Sequence, residues 1–162
     1  MRHEMIKSLS FDYGHRILRH EGRCKRLHGH RGTVEIACSS DTLDEAGRVI
    51  DFGVVKQVVG GWIDEALDHR TILQRGDTLI PVIEAEPDDM PHVVEFPPTA
   101  EELARYVFRM AVYLLGTHGV RVEWVRFYET PSGSAIWRRE PTFDIGPRQV
   151  RDPHTSSEAR EP

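Results

Sequence analysis

The chain has few cysteines, no long apolar run and no excess of positive charge. Its 162 residues include two cysteines, which are too few for a disulfide framework. No apolar stretch approaches the ~20 residues that a membrane-spanning helix needs, and the N-terminus lacks the apolar segment of a signal peptide. We therefore expect a soluble, cytoplasmic protein with no membrane partner.

The charge balance argues against nucleic acid as a partner. The formal net charge is −5, and no run of Lys and Arg exceeds two residues.

With 39% hydrophobic residues, the chain can form one compact domain with its own core. We assign this domain to residues 1–145. The polar tail at 146–162 has too little to bury, and we expect it to be disordered.

Two alternating segments predict a pair of strands with histidines on their apolar faces. The apolar positions of the first are Leu9, Phe11 and Tyr13. His15 falls on the same parity as these residues. The second segment, residues 28–38, begins with His28 and His30 on the parity of its apolar residues. The pattern thus brings histidines to one face of a sheet.

Helical spacing over residues 52–66 predicts a first helix, with Asp51 as its cap. A second helix is predicted from the capping box of Thr99 and Glu102. Two more strands are expected at 120–129 and 134–137.

The predicted order of elements is ββααββ. It indicates an α+β fold in which a four-stranded antiparallel sheet carries two helices on one face. Between the helices, residues 74–98 are rich in proline and acidic residues. We expect an exposed loop there, with a short strand at 92–96.

The histidines form a candidate metal site. His28 and His30 lie two residues apart, so in a strand both imidazoles leave the same face. His15, at the end of the neighbouring strand, can supply a third ligand. Three neutral imidazoles with one open position are typical of catalytic zinc sites. The alternative is that all three are polar strand-end residues that hydrogen-bond to backbone or water.

The two cysteines differ in their surroundings. Cys24 is flanked by Arg23 and Lys25, and positive charge stabilises a thiolate, so Cys24 is a candidate base or nucleophile. The alternative is a loop thiol without function. Cys38 lies within the apolar alternation of the second strand and is expected to be a small core residue.

Three further ionisable residues stand at the ends of predicted elements. Asp68 and His69 end the first helix, where adjacent residues diverge by about 100°, so their side chains are not expected to face each other. Either can join a proton relay with Cys24. Glu129, at a strand end, can accept two parallel hydrogen bonds from the N–H edge of a pterin-like ring. The alternative for each is a solvated surface group.

Taken in order, these motifs resemble one known family. A C-x3-H-x-H motif follows a strand that ends in His15, and "LDH", "PTAEELA" and "YET" come after it. Across about residues 6–137 this pattern resembles the 6-pyruvoyl-tetrahydropterin synthase and 6-carboxy-tetrahydropterin synthase family. The resemblance implies a T-fold that assembles into trimeric barrels and commonly hexamers, with active sites between subunits. It also implies 7,8-dihydroneopterin triphosphate as the substrate.

The resemblance assigns a role to each candidate residue. It implies zinc ligation by His15, His28 and His30, a catalytic base in Cys24, a proton relay of Asp68 and His69, a pterin anchor in Glu129 and a substrate contact in Thr99. The segment "FDYGH" departs from the family pattern, because smaller residues more often precede the first histidine.

The gap of three residues between Cys24 and His28 resembles that of the 6-carboxy enzymes of the 7-deazaguanine (queuosine) route. We therefore favour a 6-carboxytetrahydropterin product, formed with loss of acetaldehyde. Three alternatives remain open: the 6-pyruvoyl reaction, a hydrolase with Cys24, His69 and Asp68 as its triad, and a pterin- or zinc-binding module without catalysis.

Overall fold

The computed structural model describes residues 2–140, so the tail expected at 146–162 and the boundary at residue 145 lie outside the described part. One sheet forms the framework of the fold. Its strands are β1 (His3–His15), β2 (His28–Ser40), β3 (Arg70–Gln74), β4 (His92–Val94), β5 (Arg121–Thr130) and β6 (Gly133–Arg138). Across the sheet they lie in the order β4-β3-β1-β2-β5-β6.

Strands β1 and β2 pair antiparallel and confirm the predicted alternation. The register places Tyr13 opposite His30 and His15 opposite His28. Directly opposed residues of two paired strands project from the same face of the sheet. All three histidines therefore lie on the face that also carries the buried side chains of Phe11 and Val34.

The helices begin where their caps predict. The helical segments are α1 (Phe52–Val55), a π-helical turn (Lys56–Gly60), α2 (Gly61–Ala66), α3 (Ile80–Ile83) and α4 (Ala100–Leu115). Asp51 accepts a hydrogen bond from the backbone N–H of Gly53, and Thr99 accepts one from that of Glu102. Each side chain satisfies a donor that the first helical turn leaves open.

The core lies between the sheet and the helices. The buried residues of α4 are Leu103, Ala104, Tyr106, Val107, Phe108, Met110, Ala111 and Leu115. They belong to one hydrophobic cluster with Phe11, Val34 and Phe127 of the sheet and with Val55 and Val59 of the first helical segment. Within residues 2–140, no helix is both long enough and apolar enough to span a bilayer.

The predicted antiparallel sheet of four strands is confirmed in β1, β2, β5 and β6, and two parallel strands that were not predicted as part of it extend its edge. Strand β3 pairs in parallel with β1, and β4 pairs in parallel with β3. Strand β4 is the short strand predicted at 92–96. In β3 the consecutive residues Ile72 and Leu73 are both fully buried, so this strand lacks the polar and apolar alternation by which the others were predicted.

The segment expected to be an exposed loop at 74–98 is instead partly ordered and anchored. It contains α3 and β4, and the Asp77 side chain within it is fully buried. Asp77 accepts a hydrogen bond from Nε of Arg16, 2.8 Å away, and a second one from the Arg16 Nη2 group. This ion pair fixes the start of the segment to the residue that follows His15.

Candidate metal centre and active site

The three predicted histidine ligands converge on one point. The ligand atoms of His15, His28 and His30 all lie within 4.8 Å of one another. The ring centroids of His15 and His28 are 4.6 Å apart, and those of His28 and His30 are 4.9 Å apart. The convergence follows from the register of β1 and β2, which sets two histidines opposite each other and the third two residues along.

Backbone carbonyls orient two of the rings. Nδ1 of His15 donates to the carbonyl oxygen of Pro98 at 2.8 Å, and Nδ1 of His28 donates to that of Arg26 at 2.7 Å. A carbonyl oxygen only accepts, so Nδ1 carries a proton in both rings, and in the neutral tautomer Nε2 is the nitrogen with the free lone pair. A histidine that ligates a metal is commonly fixed in this way through its other nitrogen.

Burial keeps His15 in the neutral form that a metal requires. The His15 side chain is fully buried, and this burial lowers its pKa to about 4, with His28 and His30 adding to the effect and the hydrogen bond to Pro98 opposing it. Among the described residues, the buried Nε2 atoms of His15 and His30 have no hydrogen-bond partner. Three imidazole donors with two such unsatisfied nitrogens fit a zinc ion.

An open cleft of about 540 Å³ runs beside the histidines. Its walls include His28 and His30 from β2, Tyr13 from β1, and His69 and Thr71 from the start of β3. A cleft of this volume lies in the range of ligand sites. The parallel pairing of β1 with β3, which the sequence did not predict, brings His69 to the wall of this cleft.

Asp68 and His69 do face each other, contrary to the sequence-based expectation. Helix α2 ends at Ala66, so neither residue is helical, and His69 takes a positive φ of 58°. This backbone turn places Nδ1 of His69 2.8 Å from Oδ2 of Asp68. The other carboxylate oxygen of Asp68 accepts the backbone N–H of Asp12, and these hydrogen bonds outweigh burial and lower the pKa of Asp68.

The structure does not bring Cys24 into the histidine cluster. Cys24 is half-buried in a single 3₁₀ turn, Arg23–Lys25, that precedes β2. It is absent from the described walls of the cleft. Cys38 is fully buried, and burial raises the pKa of its thiol to about 12, which confirms it as a core residue.

Glu129 and Thr99 contact the histidine cluster and the adjoining helix. Oε1 of Glu129, near the end of β5, lies 3.6 Å from Nε2 of His15 and 3.9 Å from Nε2 of His30. Thr99 caps α4 through its hydroxyl group, and the residue before it, Pro98, supplies the carbonyl that orients His15. Neither residue is among the described walls of the cleft.

Sequence reasoning missed two groups at the site. The Pro98 carbonyl is a main-chain atom and carries no sequence signal. The Tyr13 hydroxyl is buried without a hydrogen-bond partner in the described part of the chain. The aromatic ring of Tyr13 contacts the imidazole rings of His15 and His30. Burial is the larger cause and the nearby Glu129 carboxylate the smaller cause of a raised pKa for Tyr13, so this hydroxyl stays protonated. The sequence did offer one signal for Tyr13, because this residue lies on the same face of the predicted strand as His15.

Comparison with known proteins agrees with this fold. Over 129 residues the chain is 36% identical to the 6-carboxy-5,6,7,8-tetrahydropterin synthase of Rickettsia bellii, which covers 78% of this chain and 93% of the relative. A solved structure from Wolinella succinogenes, of an uncharacterized protein, superimposes with a TM-score of 0.74 at 27% identity, covering 86% of this chain and 99% of that one.

A second solved structure confirms the T-fold. The 6-pyruvoyltetrahydropterin synthase of Plasmodium vivax superimposes with a TM-score of 0.64 at 25% identity, covering 86% of this chain and 98% of that one. The sequence profile of 6-pyruvoyl tetrahydropterin synthase matches residues 4–140. With the histidine cluster, the T-fold and this match in agreement, the chain belongs to the 6-pyruvoyl tetrahydropterin synthase family of lyases.

Proposed function

We propose that the protein is a zinc-dependent 6-carboxytetrahydropterin synthase of the 7-deazaguanine (queuosine) route. It would convert 7,8-dihydroneopterin triphosphate and one water molecule to 6-carboxytetrahydropterin, acetaldehyde and triphosphate, with the water supplying the second oxygen of the carboxyl group. The observation that carries the proposal is the cluster of His15, His28 and His30, whose ligand atoms lie within 4.8 Å of one another and include two buried, unsatisfied Nε2 atoms, those of His15 and His30. The name of the Rickettsia bellii relative supports the carboxy product, as does the three-residue gap between Cys24 and His28.

The zinc ion would be held by the three histidines. When bound, it supplies a Lewis acid that polarises the side-chain oxygens of the substrate and acidifies the adjacent C–H bond. The chain contributes the fixed orientation of the rings, since Pro98 and Arg26 hold Nδ1 of His15 and His28. The dihydropterin ring gains the electrons that its side chain loses, so no separate redox cofactor is required.

Cys24 is proposed as the base that removes a proton from the substrate side chain. The basic residues Arg23 and Lys25 flank it in the sequence. In the single chain its 3₁₀ turn precedes His28 by only a few residues, but Cys24 does not line the described cleft. As the family resemblance implies, we place the reaction in a homo-oligomer built from trimers and assembled as a hexamer, in which a neighbouring subunit completes the site.

His69 is proposed to return the proton. Asp68 accepts the Nδ1–H of His69, so Nε2 of a neutral His69 is free to accept and then deliver a proton in the cleft. The hydrogen bond from the Asp12 backbone fixes the Asp68 carboxylate, and through it the orientation of the imidazole. This arrangement supports a relay role for both residues.

Glu129 and Thr99 are proposed as contacts to the substrate. A carboxylate can accept two parallel hydrogen bonds from the N–H and NH2 groups at one edge of a pterin ring. Glu129 lies beside the histidines, so a ring bound through it would present its side chain to the metal. Thr99, at the N-terminus of α4, offers a hydroxyl group next to the same cluster.

Product analysis tests the proposal. Purified protein is incubated with 7,8-dihydroneopterin triphosphate and zinc, and the products are identified by mass spectrometry together with an acetaldehyde assay. We expect 6-carboxytetrahydropterin and acetaldehyde in equal amounts. Formation of 6-pyruvoyltetrahydropterin without acetaldehyde would instead establish the pyruvoyl reaction, which the family profile and the Plasmodium vivax relative keep as the second candidate.

Metal analysis and one variant separate the remaining alternatives. Full activity in a zinc-free protein would favour the hydrolase triad of Cys24, His69 and Asp68. Unchanged biological activity in Cys24→Ala would favour a non-catalytic binding module.

A further inference from the structure

The Glu129 carboxylate faces two nitrogens with which it makes no hydrogen bond. Its Oε1 atom lies 3.6 Å from Nε2 of His15 and 3.9 Å from Nε2 of His30, both beyond ordinary hydrogen-bond length. Both nitrogens are buried and lack a hydrogen-bond partner within residues 2–140. A partly exposed carboxylate oxygen and two buried imidazole nitrogens thus lie close together without hydrogen-bonding to one another.

The hydrogen bond from Nδ1 of His15 to Pro98 leaves Nε2 as the nitrogen that faces Glu129. Because Nδ1 donates to the Pro98 carbonyl, Nε2 of the neutral ring presents a lone pair. That lone pair faces an oxygen atom of the Glu129 carboxylate. Two acceptors at this distance repel each other, since neither has a proton to donate to the other. A positive ion between them turns the repulsion into two attractive contacts.

The spacing matches that of two ligands on one zinc ion. Zinc binds imidazole nitrogen at about 2.0–2.1 Å and carboxylate oxygen at about 2.0–2.2 Å, so two ligands of a tetrahedral ion lie about 3.4 Å apart. The separations of Oε1 from the two Nε2 atoms, 3.6 Å and 3.9 Å, differ from this value by a few tenths of an ångström.

We propose that Glu129 is the fourth zinc ligand of the substrate-free enzyme and leaves the metal when a pterin ring binds. The inference rests on the zinc site of the proposed function. On this proposal the Glu129 carboxylate binds the zinc ion in the substrate-free enzyme and the edge of the pterin ring in the substrate complex. The coordination position needed by the substrate then becomes free only when the ring is in place, so recognition of the ring and opening of the metal site are coupled.

Metal affinity and cobalt(II) absorption test this assignment without any measurement of turnover. The variants are Glu129→Gln, which removes the charge, and Glu129→Asp, which keeps the charge on a side chain one methylene shorter. The control is Glu35→Gln, since Glu35 is a half-buried glutamate of β2 that pairs with Arg126. Zinc affinity is measured by competition with a chelator, and the visible spectrum is recorded for the cobalt(II)-substituted proteins.

If Glu129 is a ligand, Glu129→Gln weakens zinc binding about tenfold or more and alters the cobalt spectrum, while Glu35→Gln matches the wild type. Glu129→Asp then resembles Glu129→Gln, because the shorter side chain does not reach the metal. Unsubstituted pterin, which has no side chain to bind the metal, changes the cobalt spectrum of the wild type but not that of Glu129→Gln.

Two results overturn the inference in distinguishable ways. If wild type and Glu129→Gln have the same cobalt spectrum, or Glu129→Asp behaves as the wild type, the carboxylate is not a ligand, and the proposed function is untouched. If the wild type binds neither zinc nor cobalt, the proposed function fails and the inference fails with it.

Discussion

His15 and Pro98 join the metal centre to the start of the long helix. Nδ1 of His15 lies 2.8 Å from the Pro98 carbonyl oxygen, and Pro98 directly precedes Thr99, the cap of α4. The orientation of this ring therefore depends on where α4 begins as well as on β1. Two adjacent residues thus serve both features: Pro98 orients the metal ligand His15, and Thr99 caps the helix.

Removal of a histidine ligand is expected to abolish stoichiometric zinc binding. His15→Ala and His28→Ala each delete one of three converging imidazoles, whereas the control His118→Ala alters an exposed histidine in the turn after α4. We expect about one zinc per chain in wild type and His118→Ala and much less in the other two, by elemental analysis. Equal zinc content in all four proteins would contradict the assignment.

Cys24→Ala is expected to separate chemistry from binding. If Cys24 is the base, its loss lowers kcat by about 10²- to 10⁴-fold while zinc content and substrate affinity stay unchanged. The matched control is Cys38→Ala, which removes the buried thiol and costs roughly 1 kcal/mol of stability with normal turnover. Steady-state kinetics and zinc analysis measure both effects. Normal turnover in Cys24→Ala would remove it from the mechanism.

Gly32→Ala is expected to destabilise the fold near the site. A Cβ atom at residue 32 would lie 3.0 Å from Cε1 of Tyr13 and 3.3 Å from Cζ of Phe127, both in the core. Overpacking of this kind costs about 1–3 kcal/mol. The control is Gly61→Ala, at a helical position where an added Cβ atom would meet no described atom within 4 Å apart from its chain neighbours and its own helix backbone, and it should be neutral or stabilising. Urea unfolding compares the two; an unchanged Gly32→Ala would refute the packing argument.

The Arg16–Asp77 pair is expected to make stability dependent on acid pH. Burial opposes ionisation of Asp77, but the hydrogen bonds from Arg16 and from the Leu79 backbone outweigh it and lower the Asp77 pKa below its usual 3.8. Because the folded-state pKa is the lower one, the stabilisation is complete above pH 3.8 and is lost as the pH falls through the folded-state value.

Asp77→Asn should therefore lower the free energy of unfolding by about 1–3 kcal/mol at pH 7, and by progressively less below pH 3.8. The control is Glu95→Gln, which removes the partner of Arg75 in an exposed pair and should have little effect at either pH. Denaturant unfolding at several pH values measures both variants. A deficit of equal size at neutral and acid pH would contradict this account.

Periodicity explains why most of the fold could be predicted from the sequence. β1, β2 and β5 alternate because one face of each packs on the core, and α4 begins at a capping box that the structure confirms. Strand β3 escaped prediction because Ile72 and Leu73 are both buried in the middle of the sheet, where alternation disappears.

The site was predictable where it depends on strand parity and not where it depends on backbone geometry. Parity placed His15, His28 and His30 on one face, and the structure brings them together. The contact between Asp68 and His69 requires the helix to end early and His69 to adopt a positive φ. A histidine in the sequence does not by itself indicate that backbone conformation.

The hydrogen bond between His15 and Pro98 closes a loop of 83 residues. Contacts between such distant positions form late in folding, because the chain entropy lost on loop closure must be offset by packing already in place. β1 and β2 can pair early, since they are neighbours in sequence, yet the rings they carry are fully oriented only once α4 has docked. Uptake of metal during refolding should therefore lag behind formation of the central hairpin.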